Sequence, residues 1–420
     1  MRGGVGVACG GVGSERVTAD VVVVGAGPAG AAAAIELRRA GRDVVVLDKA
    51  TFPRDKCCGD GLTTLALREL EALGLDPDAV TGWFDVDGAV LRSPSGRQVT
   101  VPLPDDGRFA AVAPRRSLDD ALVGLARAAG ADVRDGCGFR SLDSTVGDRV
   151  TVEAEGATIT ARYVVAADGM WSPVRKATGC HDPGYLGEWH GFRQYAHGVT
   201  GSAAERLHVW FEADLLPGYA WSFPLPGGRA NVGFGVLRDG TRTGAQTKAI
   251  WPDLLARPHV REALGEGAEL EDRVTAWPIP ARIDTLPLAA GRALFVGDAA
   301  AATDVMTGEG IGQALLTGRL AAESIVAAGA LQPDVVRALY EREVRHHLVA
   351  DHGMSRALGS ALAHERGARG AIRVVGASGE WGRRNFSRWM FEDEPRAVLL
   401  TPGRWHRRLL ARPGAWADRA

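Results

Sequence analysis

Residues 51–62 read TFPRDKCCGDGL, two adjacent cysteines between a basic run and a Gly-Asp-Gly turn. A thiol can serve as nucleophile, proton donor, metal ligand or redox partner. The chain has five cysteines, at 9, 57, 58, 137 and 180, an odd number too small for a disulfide framework. Adjacent cysteines rarely bridge each other, so free thiols in a reducing, cytosolic chain are expected. No second Cys/His cluster has ligand spacing, so no metal site is expected. Arg54 and Lys56 are near in sequence and are expected to lower the Cys58 pKa and raise its reactivity. The competing reading is a buried thiol acting as an inert small hydrophobe.

A second set of residues suits phosphate chemistry. In ADVVVVGAGPAGAAAAIELRRAGRDVVVLDKA, residues 19–50, an apolar run is followed by Gly25, Gly27, Ala29 and Gly30, an Ala-rich helix pattern and a second apolar run. Gly25 permits a tight turn, Gly27 lets a pyrophosphate approach the backbone, and Gly30 lets helix and strand pack closely. The helix N-terminus then faces the diphosphate. Asp48 ends the second run 23 residues after Gly25, where a carboxylate can bond a ribose hydroxyl pair. A non-binding βαβ unit is the bland alternative. GGVG in the first 18 residues has no strand before it and is a decoy; that stretch is expected to be a disordered tail.

Two further motifs follow in order. YVVAADGMWSPVRKATG, residues 163–179, has a strand pattern and then Asp168-Gly169. RALFVGDAAAATDVMTGEGIGQALLTGRLAAESI, residues 292–325, has a strand pattern, Gly297-Asp298, then Gly308-Glu309-Gly310-Ile311 opening a helix. This order and separation resembles the FAD-dependent oxidoreductases of the para-hydroxybenzoate hydroxylase fold. The resemblance implies FAD, with Asp298 at its ribityl or ribose region and Gly308, Gly310 and Ile311 along the flavin pyrimidine edge. A helix N-terminus there would stabilise the negative charge of reduced flavin. A helix N-cap is the alternative for Asp298, and a plain turn for the glycines. The superfamily places an arginine such as Arg115 over the phosphates or flavin edge; an i,i+4 salt bridge with Asp119 is the competing reading.

Two stretches narrow the resemblance. PRDKCCGDGL, residues 53–62, and LLPGYAWSFPLPGGRANVGFG, residues 215–235, resemble the geranylgeranyl reductase family, which includes digeranylgeranylglycerophospholipid reductases and actinobacterial menaquinone reductases. Over roughly residues 19–330 the resemblance implies a cysteine loop beside the flavin, carried by Cys58, Gly59 and Gly61. Cys58 would then be a proton donor, a gate or a packing residue. Cys57 and Val305 stand where family members commonly have proline, which bears on substrate identity more than on flavin binding.

These sites need elements to position them. The expected fold is α/β: a Rossmann-type FAD-binding domain (19–80, 108–180, 285–330), an inserted antiparallel-sheet substrate domain (81–107, 181–284) and a helical C-terminal region (331–420). Tyr219, Trp221 and Phe223 alternate, so they share one strand face suited to an apolar, lipid-like substrate, or else to an ordinary sheet core. Trp210, Phe211, Phe234 and WPIP (277–280) are expected to extend that surface.

The net charge of −2 offers no field for nucleic acid. No stretch of 18 uncharged apolar residues predicts a membrane span. Trp and Arg mixed in GEWGRRNFSRWMFEDE and PGRWHRRLLARPGAW suit a peripheral contact with the cytoplasmic face of a membrane. No second full GxGxxG unit is present, so an NAD(P)H or ferredoxin electron donor would dock transiently.

The leading expectation is FAD-dependent reduction of isoprenoid C=C bonds. The alternatives are a flavin monooxygenase or halogenase of an aromatic or polyketide scaffold, and a non-catalytic flavin-binding redox sensor with vicinal thiols.

Overall fold

A computed structural model describes residues 15–144, 148–238, 240, 242–329 and 332–419. Residues 1–14 of the expected tail lie outside the described residues. The tail's boundary needs correcting: Glu15–Thr18 is a strand, paired in parallel with Ala157–Ala161. With one apolar residue, Val17, in four, its ladder is made by backbone groups that leave little trace in side-chain pattern.

The central sheet has six strands in the order Ala289–Ala290, Ala293–Phe295, Tyr163–Ala166, Val21–Val24, Val44–Asp48 and Asp132–Asp135. All neighbours are parallel except the first pair. Val21–Val24 is buried throughout, as an interior parallel strand requires, and this is why it reads as an unbroken valine run. Helix Pro28–Arg39 follows it and packs against helix Ile311–Ala328. Small residues permit that approach. A Cβ on Gly318 would lie 2.1 Å from the carbonyl oxygen of Ala29, and one on Gly30 only 1.8 Å from that of Gly25.

The second large sheet runs Glu269–Leu270, Trp189–His197, Arg229–Leu237, Tyr219–Leu225, Leu207–Trp210, Gly88–Arg92 and Gln98–Pro102, with Thr275–Ile279 also paired to Trp189–His197. It is not wholly antiparallel, because Leu207–Trp210 runs parallel to Gly88–Arg92. That pair joins two chain segments separated by the strands and helices of the first domain, so no hairpin constrains their direction.

Register decides which aromatics share a face. Trp210 and Phe234 both lie opposite Ala220, which alternates with Tyr219 and Trp221. They therefore point away from the Tyr219 face and pack with Trp251 under helix Gly244–Ala256, correcting the expectation that they extend it. Phe211 does stay with Tyr219, ring centroids 6.1 Å apart.

The C-terminal region has helices Pro333–Val344, Ala350–Leu362, Glu365–Ala377 and Gly379–Met390. Beyond Met390 the helices among the described residues are short 3₁₀ turns, because Pro395, Pro402, Gly403, Pro413 and Gly414 break longer helices. This last segment folds back. Thr64 donates its backbone N–H to the Phe391 carbonyl at 2.7 Å, and Ala415 pairs with Arg108.

Gly30→Ala is expected to destabilise the fold by about 3 kcal/mol, the upper end for overpacking, because the obstruction is backbone that cannot rotate away. Denaturant unfolding of the variant beside the parent checks it.

Candidate active site

One cavity of about 980 Å³ lies between the two large sheets. The dinucleotide-type turn enters it through Gly25, Gly27 and Ala29, while Gly30 stays behind them in the helix packing. Asp48, Arg115, Asp168, Gly169, Gly297 and Asp298 reach the same cavity. So do Gly308, Gly310 and Ile311, the cysteine loop (Cys58, Gly59, Gly61), and the aromatic row of Tyr219, Trp221 and Phe223. Segments far apart in sequence thus converge on one space.

The glycine end is shaped for a diphosphate. The nearest atom to a Cβ built on Gly27 is Arg54 Nη2, at 3.5 Å, so the backbone there is open to the cavity. Asp48 is held in place by backbone donors: Ala26 N–H to Oδ2 and Ala50 N–H to Oδ1, both at 2.8 Å. Arg115 makes a two-pronged pair with the fully buried Asp119, at 2.7 and 2.8 Å, and Arg54 reaches the same carboxylate at 2.9 Å. The i,i+4 pair with Asp119 is present, and Arg115 also lines the cavity. Two guanidiniums on one carboxylate leave a net positive charge there, which suits an anion.

Asp168 accepts the Val174 N–H through Oδ2, while its buried Oδ1 has no hydrogen-bond partner among the described residues. Burial pushes this carboxyl up to about 6. The open Gly27 backbone, the excess guanidinium and the orphaned Asp168 oxygen together fit a flavin dinucleotide.

The cysteine loop differs from expectation. Burial pushes the Cys58 thiol up to about 11, and Arg115 only partly offsets this. Arg54 is committed to Asp119, and Lys56 sits 3.7 Å from Asp298 with its ammonium 4.0 Å from the centre of the Trp277 ring. The two cations named for activating Cys58 are spent elsewhere, and the side chain is a thiol at neutral pH. Burial also raises Cys57, and the Thr275 hydroxyl partly offsets this.

Sequence reasoning missed what anchors this loop. Asp60 is fully buried with φ +65°. Its Oδ2 accepts the Tyr195 hydroxyl at 2.6 Å and Asn231 Nδ2 at 2.8 Å, and its Oδ1 accepts the Arg115 N–H at 3.3 Å. Asn231 also donates to the Cys58 carbonyl at 2.9 Å and accepts Trp221 Nε1 at 3.1 Å. A polar Asn231 within the otherwise apolar ANVGFG stretch was the available signal. Burial raises Asp60 to about 6, and the Tyr195 and Asn231 bonds hold it down. Glu309, in the turn before helix Ile311–Ala328, was also passed over; it too faces the cavity.

The fold and site define an FAD-binding oxidoreductase. The profile of the family described as FAD binding domain matches residues 18–319. A menaquinone reductase of Mycolicibacterium smegmatis is 35% identical over 338 residues, covering 74% of this chain and 77% of that protein. A digeranylgeranylglycerophospholipid reductase of Methanopyrus kandleri is 33% identical over 321 residues, covering 75% of this chain and 78% of that protein. A geranylgeranyl bacteriochlorophyll reductase-like protein of Thermoplasma acidophilum has the same fold at 21% identity, with a TM-score of 0.77 over 92% of this chain and 99% of that one. The chain belongs to the FAD-binding-domain family and, within it, to the geranylgeranyl reductase enzymes.

Alkylation of Cys58 by iodoacetamide at pH 8 is expected to be slower than that of an unburied thiol, and to rise only as the pH approaches about 11. Peptide mapping by mass spectrometry across a pH series checks it.

Proposed function

We propose that this enzyme reduces isolated C=C bonds of a polyprenyl chain carried by a quinone or a lipid. The observation that supports it most is the contact between aromatic wall and cysteine loop. A Cβ on Gly59 would lie 3.3 Å from the Phe223 ring, and one on Gly61 3.0 Å from it. The Trp221 ring is 3.5 Å from the same point on Gly59. A side chain at either position would press on the Phe223 ring, so the loop lies against the wall and an apolar chain along Tyr219, Trp221 and Phe223 would run beside Cys58. The same wall excludes water. Relatives named for menaquinone and for digeranylgeranylglycerophospholipid support this substrate class.

FAD, when bound, supplies hydride to one alkene carbon. Gly25, Gly27, Asp48, Arg115, Asp168, Gly169, Gly297 and Asp298 are the residues that would hold it. An isolated alkene has no carbonyl to take up charge, so the protein contributes positioning and a proton. Cys58, held as a thiol, carries that proton at Sγ. NAD(P)H or ferredoxin would reduce the cofactor in a transient encounter.

A lipid substrate gives meaning to the C-terminal surface. Trp381 is 75% exposed and Leu399 82%, and Val374, Leu400 and Trp405 are exposed as well. Residues 363–412 carry 11 arginines and five acidic side chains, and two of those acids, Asp393 and Glu394, are buried. Apolar tips among exposed arginines suit an anionic bilayer.

Cys58→Ala is expected to retain bound FAD and slow anaerobic reoxidation of its dithionite-reduced form by a polyprenyl quinone about 10²-fold. Mass spectrometry should show a product two mass units heavier with the parent protein; unchanged turnover in the variant would remove Cys58 from the chemistry. The protein should also sediment with phosphatidylglycerol vesicles and not with phosphatidylcholine vesicles, and Trp381→Ser should weaken that binding severalfold.

A further inference from the structure

Two acids face the cavity beside the aromatic wall: the Cys58 thiol and the Glu309 carboxyl. Glu309 Oε1 lies 3.6 Å from the point where a Gly61 Cβ would stand, so it looks onto the cysteine loop. Its carboxyl has no hydrogen bond among the described residues. The charged and titratable groups that reach it are Asp304 from its own loop, Glu392 and Arg396 from the C-terminal segment, Cys58 and Tyr219.

Their charges can be assigned from geometry. Asp304 Oδ1 accepts the Met306 and Thr307 N–H groups and the Thr307 hydroxyl, at 3.1, 2.8 and 2.8 Å, and Oδ2 accepts Ser355 Oγ at 2.5 Å. Four donors therefore point at this carboxylate. Glu392 takes the Thr63 hydroxyl and Gln313 Nε2, each at 2.8 Å. Arg396 is 4% exposed, its Nη2 lies 3.7 Å from Glu392, and its Nε and Nη2 have no hydrogen-bond partner among the described residues. One guanidinium therefore faces two glutamates; burial raises Glu392 to about 7, and the guanidinium and the hydrogen bonds hold it below Glu309. The remaining glutamate, Glu309, has no donor to hold a negative charge and keeps its proton. Burial, then the Glu392 charge, raises Glu309 to about 8, whereas the thiol beside it is raised to about 11. Glu309 is the stronger acid of the two and is still protonated at neutral pH.

We propose that Glu309 is the acid of the reduction, its proton passing to the substrate through the Cys58 thiol, with Glu392 and Arg396 as positioning residues. This rests on the reductase reading above. With hydride taken up at one alkene carbon, which FAD would supply when bound, the S–H bond of Cys58 would break as a C–H bond forms at the other carbon. The O–H bond of Glu309 breaks as S–H reforms, the proton crossing through one water between the two groups. Sulfur stays neutral, the carboxylate keeps the charge, and water restores its proton after product leaves.

Two measurements test it on the FAD-loaded full chain. Infrared pH titration should show a protonated-carboxyl C=O band in the parent that disappears above about pH 8 and is missing in Glu309→Gln. In Glu392→Gln the loss of a neighbouring negative charge should move that titration to lower pH. Single-turnover reduction of a polyprenyl quinone by the pre-reduced enzyme should slow as pH rises through about 8. Glu309→Gln should be about 10²-fold slower and flat with pH. Glu309→Asp should recover part of the rate with a displaced profile, which a packing role would not produce. A band that persists in Glu309→Gln, or an unchanged profile in that variant, overturns the step alone. A protein that shows the band yet reduces no polyprenyl alkene overturns the reductase reading and the step with it.

Discussion

The buried carboxylate of Asp60 joins the two halves of the active site. It leaves the cofactor domain in a left-handed turn and ends among Tyr195 and Asn231 of the second sheet. Burying a carboxylate costs several kcal/mol unless donors replace water, and these side chains with the Arg115 N–H supply them. Because Asn231 also takes the Cys58 carbonyl and the Trp221 indole, one anchor sets three positions at once: thiol, loop backbone and aromatic wall. The close approach of Gly59 and Gly61 to Phe223 follows from the pull of that anchor.

The other buried charges are distributed so that each end of the cavity has its own polarity. Asp119 holds two guanidiniums near the glycine turn, leaving positive charge for a diphosphate. Lys56 is spread between Asp298 and the Trp277 face, and burial lowers its pKa against the pull of Asp298. At the opposite end, acids outnumber cations, and low polarity favours neutral, proton-carrying forms. The proposed alkene reduction would use that separation, with anion binding kept away from proton delivery.

The C-terminal segment completes the proton-bearing end. Glu392 has φ +59°, a backbone conformation that a non-glycine side chain adopts only when its surroundings hold it. Thr63, Gln313 and Arg396 do so, and Arg68 binds the adjacent Asp393. The final residues are thus tied to the cysteine-loop side of the cofactor domain as well as presenting exposed Trp and Arg outward. The segment with the exposed Trp and Arg is thus bonded to the segment that faces the cavity.

What the sequence determined by itself were features with local causes. Gly25, Gly27 and Gly30 fix a turn through backbone sterics, the valine runs fix buried parallel strands, and Tyr219, Trp221 and Phe223 share a face through the two-residue period of a strand. Each is written in neighbouring residues, so each was legible, as was the cofactor domain built from them. Tertiary structure decided the rest. Whether Trp210 and Phe234 joined the aromatic wall depended on strand register. Whether Arg54 and Lys56 activated Cys58 depended on Asp119 and Asp298, distant carboxylates that claimed them first. The protonation of Cys58, Asp60 and Glu309 depended on burial and on partners up to hundreds of residues away. Charge and desolvation act through space, and a chain written in one dimension does not show which groups will share the same dry volume.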